Sequence, residues 1–277
     1  MRIAIFGDLI LDEHIIGVMT QRKGANFFQV ERRQFNVGGA GAVAKQLAAW
    51  GHEVILLPFT STEARFRLMD LAPFSIVFSP AKISPPLPHK KRYWVGKKLV
   101  FRADEPEIGN FALEPQRMLS CAREFEPDVI VISDYGKGAV TYSISDFAAH
   151  CGKPVYADIG YRPLERGFFY QQYNAVAQLR DYDSEGMLVE LMGANGGAYK
   201  SPDGNWESWE AVPVPKDSFI DDSGCGDTFL AAMIQMQTTS SLLGENIPKA
   251  AALAALQCGF LGVHTFAKEV LRSLGGA

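Results

Sequence analysis

Apolar residues recur along this chain at two spacings, and the switches between them divide it into elements. Short, nearly unbroken apolar runs at Arg2 to Phe6, Glu53 to Leu57, Phe74 to Phe78, Asp128 to Ser133, Pro154 to Asp158 and Leu188 to Met192 predict buried strands. Helical spacing appears between them. Val43, Leu47 and Trp50 form one stripe closed by Gly51, and further helices are predicted over Thr62 to Leu71 and Pro115 to Phe125. Strand alternating with helix predicts a parallel, doubly wound sheet. Residues 13–36 differ, because Phe27, Val30 and Phe35 alternate with Gln29, Glu31, Arg32 and Arg33, the pattern of short, half-exposed strands. After a proline-rich break, HKKRYWVGKKLVFRADEP predicts a hairpin turning at Gly96-Lys97. The segments at about 13–36 and 88–105 therefore predict a small antiparallel lid. Toward the end, Trp206 to Val214 predicts a last edge strand. A helix starting near Asp227 buries Phe229, Leu230, Met233, Ile234 and Met236, and a long Ala-rich helix spans Ile247 to Val263.

With 277 residues, 47% of them hydrophobic, the chain can bury a sizeable core, and no linker or internal repeat interrupts 1–277, so one α/β domain is expected. A net charge of -4 argues against a general nucleic-acid binder. The opening MRIAIFGDLILDEH carries Asp8 and Asp12 inside its apolar run, which excludes a signal peptide or a membrane span there. Cys121, Cys151, Cys225 and Cys258 lie far apart in sequence with no CxxC pair, as expected of reduced thiols in a cytoplasmic protein.

Chemistry concentrates where strands end. In FIDDSGCGDTFLAAMIQMQ, Gly224 and Gly226 free the backbone for a tight turn whose amides, with those of Cys225, meet a helix N-terminus that attracts phosphate. Asp227 at the same end would repel a phosphate if binding were its only task, but it suits a general base for a hydroxyl attacking a phosphoryl group. The plainer reading is a helix cap. Gly7-Asp8 ends the first strand and Asp12 follows, either as turn formers or as ligands. Gly38 and Gly39 lead the first helix, where close approach by a ligand or by another backbone would require them. Asp134-Tyr135-Gly136-Lys137 repeats the strand-end pattern. The basic cluster Lys90, Lys91, Arg92, Lys97, Lys98 and Arg102 reads first as a solvated face that blunts a sheet edge. Its functional alternative is a cationic flap for a phosphorylated substrate.

The segment Asp221 to Asp227 resembles the DTxGAGD signature of the ribokinase-like (PfkB) carbohydrate kinases, Gly38-Gly39 and the Val43 to Gly51 tail resemble their GGAxxNVAxxLAxLG signature, and Gly7 to Asp12 resembles their opening motif. DVIVISDYGKGAVT, GDLILDEH and LVFRADE are similar to one subgroup, the heptose-phosphate kinase domain of the bifunctional kinase/adenylyltransferase of lipopolysaccharide heptose synthesis. The resemblance implies a three-layer α/β/α sandwich with a mostly parallel central sheet and a small antiparallel β lid. It implies ATP and Mg²⁺ as cofactors and Asp227 as catalytic base, with Gly224, Cys225 and Gly226 as anion hole. Asp12, Gly38, Gly39 and Lys137 would hold a sugar or sugar phosphate, while Asn174, Gly193 and Gly196 would lie on the nucleotide side. The implied reaction is phosphorylation of a heptose 7-phosphate-type sugar at its anomeric hydroxyl. The resemblance also allows a homodimer through the lid, and it implies no nucleic-acid or membrane partner.

Departures from the pattern define a rival. Asp222 replaces a Thr, Cys225 an Ala, Ala42 an Asn, and Ala177 stands at the position of a Glu that organises the metal, in a region at 160–186 that looks shortened. The metal ligands are therefore not assigned. A non-catalytic relative that binds sugar or nucleotide is the alternative; a nicotinamide dehydrogenase is set aside, since no GxGxxG follows the first strand.

Overall fold

The structure, a computed structural model, describes residues 1–58, 71–77, 87–105, 115–158, 173–176, 187–200, 204–237 and 243–274. At its centre β1 (Arg2–Gly7) pairs in parallel with β4 (Glu53–Leu57) on one side and β8 (Val129–Ser133) on the other. Parallel pairing continues outward through β5 (Ser75–Ile76) at one edge, and through β9 (Val155–Asp158), β10 (Tyr173–Val176) and β11 (Met187–Leu191) toward the other. There β12 (Gly197–Lys200) and β13 (Trp206–Trp209) complete the sheet as an antiparallel border.

Period-2 geometry explains why the central strands read as unbroken apolar text. Successive side chains of β1 point to opposite faces. Ile3 and Ile5 join the core beneath α1 (Ala40–Ala49), α4 (Cys225–Gln237) and α5 (Leu243–Gln257), whereas Ala4 and Phe6 join the core beneath α2 (Pro115–Phe125) and α3 (Tyr142–His150). Two cores on two faces make three layers. On α4, Phe229, Leu230 and Ile234 are almost wholly buried. Three such side chains contribute roughly 5–9 kcal/mol, more than any cap at the polar end of that helix supplies. The position of Asp227 is thus set by the apolar face behind it.

The lid is a second sheet, built of the hairpin β2 (Leu9–Arg22) with β3 (Ala25–Gly39) and the hairpin β6 (His89–Val95) with β7 (Lys98–Asp104). Both hairpins are antiparallel and are joined by a parallel β2–β6 pair. The inner half of β2 is buried and its outer half exposed. The lid is thereby continuous with the core through the chain that leaves β1.

Several bounds differ from the sequence pattern for physical reasons. Gly38 and Gly39 close β3, and α1 starts only at Ala40. α5 stops at Gln257 and gives way to a turn, and Gly262 in that turn has φ +69, outside helical geometry. β13 ends at Trp209, because its partner β12 begins at Gly197, beside Gly196 at φ +80, and offers no further residue to pair. β10 is a four-residue parallel strand within the region at 160–186, for which the sequence pattern predicted no strand. The helix expected at Thr62 to Leu71 falls almost entirely outside the described residues. Among those that are described, α6 (Lys268–Ser273) is the last helix, and no helix is long and apolar enough to cross a membrane.

Candidate active site

Asp8, at the carboxyl end of β1, is buried and holds the loop that follows β8. Its Oδ2 accepts hydrogen bonds from the N–H groups of Tyr135 (2.8 Å) and Lys137 (3.0 Å), and its Oδ1 accepts one from Ala139 (2.9 Å). Burial nevertheless raises its pKa above the usual carboxylate value. Asp8 is therefore an organiser of the loop. That loop is further set by Asp134, whose Oδ1 accepts from Gly136 N at 2.8 Å. Tyr135 leaves it with its hydroxyl donating to Asp227 Oδ1 at 2.7 Å.

Asp227 lies in the first turn of α4 and is only 4% exposed. Its carboxyl is pushed up to about 8, chiefly by burial, with the charges of Asp158 and Asp12 adding and Tyr135 and Lys90 opposing. A carboxylate poised there can accept a proton near neutral pH. The turn before it is braced from two sides. Asp221 Oδ1 accepts from Ser223 N (3.2 Å) and Oγ (2.9 Å), and its Oδ2 accepts from Gly262 N (3.0 Å). Gln257 Nε2 donates to Ser223 O (3.1 Å) and Gly262 O (2.6 Å), and its Oε1 accepts from His264 N (3.0 Å). Gly224, at φ +80, makes the reversal. Among the described residues the N–H groups of Gly224 and Gly226 donate to no protein acceptor, whereas that of Cys225 makes one long bond of 3.3 Å to Asp222 O. Two amides at the N-terminus of α4 are thus open to an anion.

Across from this turn, Asp12 on β2 bonds Arg92 of β6 through Oδ1, and both are buried. A Cβ on Gly38 would lie 2.0 Å from Asp12 Oδ2, and one on Gly39, at φ +59, would lie 2.5 Å from Asp8 O. What crowds both glycines is this chain's own carboxylate and backbone. Lys90 Nζ lies 5.4 Å from the centre of the Tyr135 ring, and burial lowers its pKa.

The basic cluster read from the sequence is not one patch. Lys90 and Arg92 share a face of β6 beside Asp12 and Tyr135. Arg102 of β7 stands opposite Arg92 on that face, paired with Asp104, whereas Lys91 pairs with Glu105 and Lys97 donates to Asp217 O. Lys137 sits in the loop held by Asp8, partly buried.

The residues expected on the nucleotide side stand apart, toward the far border of the sheet. Asn174 lies in β10 between β9 and β11. Gly193 opens a single 3-10 turn after β11 and Gly196 follows it, with φ +56 and +80. A Cβ on Gly196 would meet Trp209 O at 2.1 Å, so Gly196 is required by the close approach of β13. Ala177 lies outside the described residues. Among the described residues no group of three or more His, Cys, Asp or Glu side chains could hold a metal ion.

Sequence reasoning missed three features here. Tyr135 was passed over between Asp134 and Gly136. Arg92 was counted within a charge run, although period-2 alternation with Lys90 already placed the two on one face. Cys225 and Cys258, far apart in sequence, meet with sulfurs 3.4 Å apart, and burial pushes the Cys225 thiol well up.

The architecture is the ribokinase-like fold. The chain superposes on a microbiome-derived acarbose kinase, Mak1, with a TM-score of 0.77 and 17% identity, covering 100% of this chain and 99% of that one. It superposes on Arabidopsis thaliana ribokinase, solved with ribose and ATP, with a TM-score of 0.70 and 13% identity, covering 100% and 99%. In sequence it is similar to curated proteins that share one name, the bifunctional protein HldE. Identity is 33% to that of Nitrobacter winogradskyi over 55% of this chain and 34% of the relative, and 22% to that of Nitratiruptor sp. over 93% and 60%. The chain thus spans between about a third and three fifths of these relatives' lengths. No protein-family model matches it.

Proposed function

We propose that the chain is an ATP-dependent sugar kinase, transferring the γ-phosphoryl group to a hydroxyl of a sugar. The observation that carries this reading is Asp227, a buried carboxylate with its pKa raised to about 8, beside the two open amides of Gly224 and Gly226. In the reaction Asp227 takes the proton of the acceptor hydroxyl as its oxygen attacks the γ-phosphorus. The bond from that phosphorus to the bridging oxygen breaks, and ADP leaves. The Gly224 and Gly226 amides stabilise charge on the transferring group, with Cys225 a weaker third donor. Asp12, Gly38, Gly39 and Lys137 border the acceptor, and Asn174, Gly193 and Gly196 lie toward the nucleotide. Mg²⁺ would supply charge neutralisation on the phosphates, bound mainly through their oxygens and water.

The preferred acceptor is a phosphorylated sugar of the D-glycero-D-manno-heptose 7-phosphate type, phosphorylated at position 1. The likeness to HldE proteins supports this choice, as do Lys90 and Arg92 on the inner face of the lid. ATP as co-substrate and four free cysteines fit a cytoplasmic setting. The exposed apolar residues of the lid support a homodimer.

A pseudokinase that binds sugar or nucleotide without turnover is the second reading, favoured by Ala42 and Asp222. Asp222 is exposed, so water and salt screen its charge, which weakens that objection. Measuring ADP release from Mg-ATP across a panel of free and phosphorylated sugars tests the choice. Release that depends on one sugar supports the kinase; equal release with every sugar and with none contradicts it.

A further inference from the structure

Tyr135 is aimed at Asp227 by a series of contacts that begins at the end of β1. Asp8 takes the N–H of Tyr135 and two more from the same loop, which fixes the backbone from which the ring projects. Gly39 leaves the ring its place, since a Cβ there would lie 3.3 Å from Tyr135 Cδ2. The hydroxyl then donates to Asp227 Oδ1 at 2.7 Å, and the Lys90 ammonium lies over the ring 5.4 Å from its centre. One strand of the lid, one loop of the sheet and the N-terminus of α4 therefore converge on a single phenol.

We propose that Tyr135 is a positioning residue for phosphoryl transfer, its hydroxyl fixing Asp227 Oδ1 so that Oδ2 faces the acceptor hydroxyl, and that Lys90 ties this arrangement to the seating of lid strand β6. The proposal rests on the kinase reading for its role in turnover and on the described geometry for its effect on Asp227. Tyr135 keeps its proton throughout, and Asp227 alone accepts the one released by the sugar.

The electrostatic balance shows why such a donor is needed. Around Asp227, the carboxylates of Asp158 at the end of β9 and Asp12 on β2 disfavour its charged form, as burial does. The Tyr135 hydroxyl and the Lys90 ammonium favour it. A hydrogen bond to the charged form of a buried carboxylate stabilises that form selectively. Without it the base is protonated over more of the neutral range. It is also free to turn about its last torsion, since a carboxylate held at one oxygen has one defined direction left for the other.

The test reads the carboxylate directly. Protein carrying ¹³C-labelled Asp is titrated by NMR as wild type, Tyr135→Phe and Lys90→Met, with Asp227→Asn identifying the Asp227 signal. Tyr135→Phe is expected to raise the Asp227 midpoint by about one pH unit, the worth of one hydrogen bond to a charged group. Lys90→Met is expected to raise it by less. In parallel, the acid limb of the kcat profile should move up with the midpoint in each variant, so that Tyr135→Phe recovers part of its lost rate at higher pH. An Asp227 midpoint unchanged in Tyr135→Phe overturns the proposal, as does a kcat lowered equally at every pH. An unchanged midpoint in Lys90→Met removes the link to the lid. Wild type with no sugar-dependent turnover contradicts the kinase reading, while the NMR titration still decides whether Tyr135 governs Asp227.

Discussion

The sulfurs of Cys225 and Cys258 lie 3.4 Å apart, joining the turn at the N-terminus of α4 to the turn that follows α5. The Cys225 side chain thus serves packing, and any contribution to the anion hole comes from its backbone N–H. Cys225→Ala keeps that N–H, so turnover is expected to stay within about threefold of wild type, as an ordinary small contact change allows. Gly224→Ala should behave differently, because φ is +80 there and the added Cβ would lie 2.8 Å from Val263 Cγ2. A loss of turnover of about 10²-fold is expected, the scale of losing one anion-hole donor. Steady-state kinetics on the two variants compare them.

The raised Asp227 pKa sets the pH dependence of the free enzyme. The base must be deprotonated, so kcat/KM should rise with pH and level off above about 8. Stability runs the other way. The folded pKa lies above the ordinary aspartate value of 3.8, so the native state binds more protons than the unfolded chain between these limits, and stability falls as pH rises through that window. Asp227→Asn removes the penalty. Its melting temperature should exceed that of wild type by an amount that grows from about pH 4 to about pH 8 and is then constant, on the order of 10 °C at most. Melting curves at pH 4, 6 and 9 show whether the difference widens.

The buried Asp12–Arg92 pair predicts a separation of stability from binding. Arg92→Met strands the Asp12 carboxylate and should cost about 3 kcal/mol. Adding Asp12→Asn removes the stranded charge and should restore part of that stability without restoring affinity for the sugar. Denaturant titrations give the first result, and KM for sugar against KM for ATP gives the second.

On the lid, Phe27, Val30, Leu99 and Phe101 are exposed, Phe101 by 61%. Phe101 packs with Tyr93 and, through it, Phe28 on one face of the lid, with Val30 on the same side; if that face pairs two copies, Phe101→Glu should convert dimer to monomer. Sedimentation velocity of wild type and variant over a tenfold range of concentration measures it; a wild type that is monomeric throughout contradicts the pairing.

Much of this was legible from residue order, for identifiable reasons. The run Val129–Ser133 could be read as a strand because it is buried on both faces, and Gly96-Lys97 as a turn because alternation resumes on either side. The Gly224 to Asp227 turn was legible because glycine and acid have few other reasons to meet before an apolar helix. What stayed hidden depends on distant pairing. Asp8 read equally as turn former or ligand, and only the three N–H groups of the 135–139 loop settle its task. Gly38 and Gly39 read as the lead of a helix, yet they end a strand whose partner brings Asp12 against Gly38, with the Asp8 carbonyl just before that partner against Gly39. Tyr135 carried no signal of its own, since its contact is with a residue 92 positions away.

The most direct test of the account is sugar-dependent ADP release from Mg-ATP by wild type and Asp227→Asn, measured at pH 8.5, where the base is largely deprotonated by the value of about 8. The account predicts release by wild type with its preferred sugar and a loss of 10²-fold or more in the variant, the usual worth of a general base. Equal release by the two proteins would contradict it.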